Sequence, residues 1–206
     1  SAQVDALVAM GPDGAVDYLL NYDSLPVEAI SDTQFDRDIR RPLNDEERSM
    51  VQQARKSNDE NALAQIQKLR NERDGLDRKQ AQEVQKWWLR RMIETGRPFE
   101  EKMTLFWHGH FATGYRTIED SYHMFLQNQL FRTNAVGNFS QLVMRILRDP
   151  AMLKYLDNDE SRKGRPNENL ARELMELFVL GEGNAYTEND IKEGARALTG
   201  YTFEDD

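Results

Sequence analysis

The chain has 206 residues, no cysteine and a formal net charge of −9, with 39% hydrophobic and 31% charged residues. That length suits one medium domain, or one domain with an arm, and leaves part of the chain strongly solvated. The acidic balance argues against a general nucleic-acid surface, which needs clustered Lys and Arg; no apolar run approaches the ~20 residues that cross a bilayer; and without cysteine there are neither disulfides nor thiolate metal sites.

Ser1-Ala2-Gln3 leads straight into a helical pattern rather than a signal-peptide run, as in a cytosolic chain or an exported one after processing. Val4, Leu7, Val8 and Met10 mark a short helix ending near Gly11, and Pro12 opens a second with Val16, Leu19 and Leu20 on one face. Residues 21–43 read as irregular, with Pro26 and Pro42 among scattered aspartates. Asn44 with Glu47 has capping-box spacing, and Ser57 with Glu60 repeats it, so a new helix is expected there. Between 44 and 80 eight acidic residues balance eight basic ones, and Ala62, Ile66, Leu69 and Leu76 form a thin seam. That stretch reads as a charged helical arm, antiparallel or lying on the domain, with Gly75 as a possible kink; a solvated face with a narrow packed stripe is the plainer alternative.

Val84, Trp87, Trp88 and Met92 return the chain to the core. Pro98 starts a helix with Phe99, Met103, Phe106 and His110 on one stripe and Gly114 as its stop. Thr117 with Asp120 is a third capping box, ahead of Tyr122, Phe125, Leu126 and Leu130. Asn138 and Asp149 are expected to cap two short helices. Leu170, Leu174, Leu177 and Phe178 define an amphipathic helix stopped at Gly181, and Thr187 with Asp190 caps the last helix. No alternating strand is present. The pattern predicts an all-α, multi-helix orthogonal bundle: N-terminal helices over 1–43, the charged arm over 44–80 and the core over 81–206.

Candidate chemistry centres on Trp107-His108-Gly109-His110-Phe111. On an ideal helix His108 and His110 lie about 200° apart and cannot share a metal. A break at Gly109 would let both rings point one way, as a start to a zinc or iron site. His123, Glu173 or Glu176 would then supply further ligands. The plainer reading packs His110 in the Met103–Phe106 stripe and hydrogen-bonds His108 at a helix end; acid–base catalysis without metal is a third. Asn169, Arg172, Glu173 and Glu176 share a stripe on their helix, which suits either a metal or general base, or ion pairs with Arg172. Trp87, Trp88, Arg90 and Arg91 suggest ligand stacking or, more plainly, core packing with the arginines reaching solvent. Lys163-Gly164-Arg165 is a basic turn without the context of a phosphate loop.

Longer motifs carry a resemblance. Trp88-Leu89-Arg90-Arg91-Met92, the run from Pro98 to Thr113, Gln127-Asn128, Gly137-Asn138-Phe139 and Asp149-Pro150-Ala151-Met152-Leu153 contribute to it, as do Tyr155-Leu156-Asp157, the run from Pro166 to Phe178, Tyr186-Thr187-Glu188 and Ala195-Arg196-Ala197-Leu198-Thr199-Gly200. Together they are similar to the bacterial domain-of-unknown-function 1800 family, densely over residues 84–203 and more loosely before; 44–80 fits least. Tyr201 stands where the family usually shows Trp. The resemblance implies an exported bacterial protein, often encoded beside a second exported family, and an N-terminal portion of a longer chain whose C-terminal half carries a further His-Asp segment. It brings no established activity.

Two functions follow as expectations. The first is a metal-assisted, hydrolase-type enzyme with His108, His110, Glu173 and Glu176 catalytic and His108, His110, His123 and Glu173 holding a divalent metal such as zinc. It predicts an imidazole within ~5 Å of one of those carboxylates. The second is a non-catalytic structural or partner-binding helical module that docks the C-terminal half or another exported protein. It predicts a dry interior around Trp107 and an exposed apolar patch.

Overall fold

The computed structural model describes residues 2–25 and 34–203, and among them finds ten α-helices and no strand. The all-α expectation holds, and most helix boundaries fall where local chemistry puts them. α1 (Ala2–Leu20) is broken at Gly11, whose φ of 71° no ordinary L-residue adopts easily, and Pro12 starts its second half where a missing N–H is harmless. The apolar residues of α1 do not form the buried face their spacing suggests: Val4, Val8, Met10, Val16 and Leu20 are exposed. A short turn at Tyr22–Ser24 follows, with Tyr22 buried. Pro26, read as part of an irregular stretch, lies outside the described residues.

α2 (Asp45–Ser57) begins with the complete Asn44–Glu47 capping box. α3 (Glu60–Glu94) is capped by Asp59, whose side chain accepts from the amides of Asn61 and Ala62. The expected cap, Ser57, instead ends α2, where its hydroxyl donates to the Gln53 carbonyl. Asn58 turns the chain between the two with a φ of 51°. α3 runs unbroken through Gly75 and past residue 80, so the predicted kink is absent and one helix joins the charged stretch to the core. α2 packs antiparallel-fashion back on it, and Glu47 ties the pair through Arg41 and Arg73.

α4 (Pro98–His110) ends before Gly114, which serves instead as the N-cap of a single-turn helix, α5 (Tyr115–Ile118). α6 (Ser121–Thr133) is capped by Asp120, not Thr117, because Thr117 is already helical within α5. α7 (Phe139–Ile146) and α8 (Pro150–Tyr155) start at Asn138 and Asp149 as predicted. α9 (Asn169–Glu173) passes into a π-helical turn over Leu174–Val179 and stops at Gly181, φ 88°. In that turn the Leu180 amide reaches back five residues to Met175. The wider turn shifts the side-chain register, which is why Leu177 faces solvent while Phe178 is buried. α10 (Glu188–Ala197) begins with the Thr187–Asp190 capping box.

The main core gathers Phe111, Phe131, Leu142, Ile146, Met152, Leu153, Leu170 and Phe178. A second cluster packs Phe35, Val84 and Trp87 beside Phe125, and a third joins α9 to α10 through Ala171, Ile191 and Ala195. α6 lies against both α3 and α4. That three-helix junction positions the polar groups described next.

Candidate functional site

Both histidines of the His-Gly-His motif sit inside α4, with Gly109 helical between them. Without a break the two rings point to opposite faces of the helix. The shared metal edge that a Gly109 break would create does not form.

His108 faces the α3–α4–α6 junction. Its ring lies 4.5 Å from Trp88 and 4.6 Å from Phe131, centre to centre. Its Nε2 meets the Asn128 side-chain amide at 3.0 Å. The orientation of that amide follows from its other end: Asn128 Oδ1 accepts from Arg132 Nη2 at 2.7 Å, and a guanidinium can only donate. Asn128 therefore presents its NH2 to His108, and Nε2 accepts. The neutral ring carries its hydrogen on Nδ1. Burial, then the Arg132 charge, push the His108 pKa down to about 4.

Arg132 belongs to a buried charged network. Glu101, only 2% exposed, accepts from Arg132 Nε (2.6 Å) and Nη2 (3.0 Å), Arg91 Nε (2.7 Å) and Trp88 Nε1 (3.0 Å). Burial by itself would raise the Glu101 pKa, but the hydrogen bonds and charges of Arg132 and Arg91 carry it below the usual carboxylate range. Both guanidinium groups also lie over the Trp87 ring. Arg91 thus turns inward, contrary to the expectation that it reaches solvent, because Glu101 offers its Nε a buried acceptor; Arg90 stays outside, paired with Glu94.

A cavity of about 310 Å³ opens over this junction. α3 supplies Ala81, Val84, Gln85 and Trp88 to its wall. His108, Thr113, Tyr115, Met124 and Asn128 complete it. Tyr115 is held by its hydroxyl on Asp77, a buried carboxylate that also accepts from the Ser121 amide and hydroxyl. Burial raises the Tyr115 pKa far above normal, with Asp77 adding to it. Thr113 bonds Gln127, which donates in turn to Asp149.

His110 faces the other way. Its Nε2 lies 2.9 Å from the Phe178 carbonyl in the π turn, so Nε2 carries the hydrogen and donates. Around it lie the rings of Phe106, Trp107, Phe111 and Phe139. Trp107 donates its indole N–H to the Ala135 carbonyl. His123 is placed elsewhere, 3.6 Å from Asp120 and against the Phe203 ring. Glu176 is ion-paired with Arg172, which also binds Glu168 and Glu188. The ion-pair alternative for that stripe thus fits Glu176 and Arg172, whereas the Glu173 side chain makes no hydrogen bond or ion pair among the described residues. Among the described residues no three His, Asp or Glu side chains gather as a metal would require. The proposed ligands His108, His110, His123 and Glu173 are distributed over separate environments.

The groups that do converge, Glu101, Asn128 and Arg132, form no recognisable chemical motif in the sequence. A signal existed: Glu101 and His108 are seven apart, on one face two turns along, and Asn128 and Arg132 are four apart.

The fold and site define an all-α protein built around a buried arginine–glutamate network, with a small uncharged pocket on one side of α4 and an aromatic face on the other. The family described as "Protein of unknown function (DUF1800)" matches residues 1–206, and the chain belongs to it. The match includes 44–80, the stretch that resembled the family least. Searches of curated proteins and of solved structures gave no match.

Proposed function

We propose that the chain is a non-catalytic, partner-binding helical module of an exported protein, and that its aromatic face docks the C-terminal half implied by the family resemblance. The observation that carries this reading is the exposure of large apolar rings on an ordered polar footing. Phe106 is 52% exposed and Phe139 37%, yet both pack on Trp107 and His110, which are pinned to backbone carbonyls. Val136, Leu177 and Val179 extend apolar exposure in the neighbouring turns. Apolar groups held in fixed positions at a surface mark contact sites. The metal-assisted hydrolase has less support, since it needs imidazole and carboxylate tips in one place, and the described residues do not gather them.

The test uses the C-terminal half as a separate chain, titrated calorimetrically against this one. Phe106→Ser with Phe139→Ser should weaken binding at least tenfold, given that a buried aromatic anchor is worth ~2 kcal/mol or more. Unchanged affinity in the double variant, or no association at all, overturns the reading.

A further inference from the structure

We infer that the cavity between α3, α4 and α6 binds a small uncharged molecule that has one apolar face and presents a hydrogen-bond acceptor to His108. This site is independent of the aromatic face and lies on the opposite side of α4. At about 310 Å³ it holds roughly ten water volumes of ~30 Å³ and sits at the lower end of small-molecule pockets.

Three observations select the ligand class. First, among the described residues no Asp, Glu, Lys or Arg lines the cavity. A charged ligand would surrender its hydration without meeting a counter-charge in the wall, since Arg132 lies behind Asn128 and is turned toward Glu101. Second, Asn128 occupies His108 Nε2 and leaves Nδ1–H as the free end of the ring. Nδ1 has no hydrogen-bond partner among the described residues, and it is not sealed from solvent. A neutral imidazole held in that tautomer is a fixed donor, suited to a carbonyl or hydroxyl oxygen. Third, the remaining wall is largely apolar, and its two hydroxyls, on Thr113 and Tyr115, already donate to Gln127 and Asp77. Trp88 is anchored by its indole N–H on Glu101, so its ring is a set surface beside Val84 and Met124. Gln85, exposed at the rim, adds an amide that can donate or accept.

Benzamide, benzoate and benzylamine test the class, because they share a flat ring and differ in charge. Each is titrated into the whole chain, following the Trp88 indole and His108 ring resonances by NMR. Benzamide should shift both, with a dissociation constant on the order of 1 mM, and each charged analogue should bind at least tenfold more weakly. His108→Gln keeps an amide oxygen for Asn128 but removes the Nδ1 donor, and should weaken benzamide at least fivefold. His108→Asn places an N–H near the Nδ1 position and should restore most of that loss. Equal or tighter binding of either charged analogue to the wild-type chain overturns the inference, as does His108→Gln binding benzamide like the wild type. Absence of any shift with all three compounds removes the site itself.

Discussion

Glu101→Ala is the sharpest test of the α3–α4–α6 junction. The substitution removes one carboxylate and strands four donors: two from Arg132, one from Arg91 and the Trp88 indole N–H. Arg132 and Arg91 have side chains only 5% and 11% exposed, so neither guanidinium can rehydrate without moving. Arg91 retains a distant pairing with Glu100 at 3.9 Å, whereas Arg132 has no other carboxylate within ion-pair range among the described residues. Removing one partner of a buried pair costs about 3–5 kcal/mol, a large part of the ~5–15 kcal/mol that holds a domain together. At roughly 2–4 °C per kcal/mol for a chain of this size, the melting temperature should fall by about 6–20 °C. Urea unfolding gives the free energy directly. The double variant Glu101→Met with Arg132→Met leaves no unpaired charge between them and should cost less than the two single changes together, by ~2 kcal/mol. A Glu101→Ala cost under ~1 kcal/mol, or strict additivity in the cycle, would refute the view that the network is coupled and desolvated.

Arg132→Met alone should raise the His108 pKa above about 4, since the Arg132 charge helps depress it and the Asn128 amide loses the donor that orients it; burial, the larger cause, keeps it below the ordinary 6.5. An NMR titration of the ring checks the direction, and an unchanged or lower value would contradict the relay. Asp149 is a carboxyl whose pKa burial lifts to about 6, against donation from Met152 and Gln127 and the nearby His123. A raised carboxyl pKa makes its stability contribution full below the unfolded value of 3.8 and lost as pH rises to about 6. Asp149→Asn keeps an acceptor for Met152 and Gln127 and should become more stable relative to wild type across that window, by at most ~3 kcal/mol; parallel pH profiles in urea would sink the assignment. Gly109→Ala should stabilise by ~0.5–1 kcal/mol, because Gly109 is helical and a Cβ there meets nothing within 4 Å. Destabilisation would mean that the motif needs a backbone state only glycine allows.

Local chemistry was legible in the sequence and long-range chemistry was not. Asn44–Glu47, Asn138, Asp149 and Thr187–Asp190 cap helices as read, because a cap depends on residues three apart. Ser57 and Thr117 share that spacing yet yield to Asp59 and Asp120, since each is still inside the preceding helix, and nothing local says where that helix ends. The π turn at Leu174–Val179 was equally invisible: the apolar pattern assumes 3.6 residues per turn, and the wider turn moved Leu177 outward. Glu101 reads as an ordinary acid in a helix's first turn. Its role appears only when Arg132, thirty-one residues on, is brought against it.

The His-Gly-His spacing is better explained by two tautomers than by two ligands. His108 carries its hydrogen on Nδ1 because Asn128 donates to Nε2; His110 carries one on Nε2 because a carbonyl there can only accept. A metal binds the lone pair of an imidazole, and the His108 Nε2 lone pair is occupied by an amide held in turn by Arg132. The His110 Nδ1 lies across the helix, on the aromatic face with Phe106 and Phe139. Recruiting both to one ion would require unwinding the end of α4 and breaking the Asn128 and Phe178 contacts. The helix therefore separates the motif into two jobs. One imidazole completes the uncharged pocket, and the other fastens α4 to the π turn beneath an exposed ring cluster.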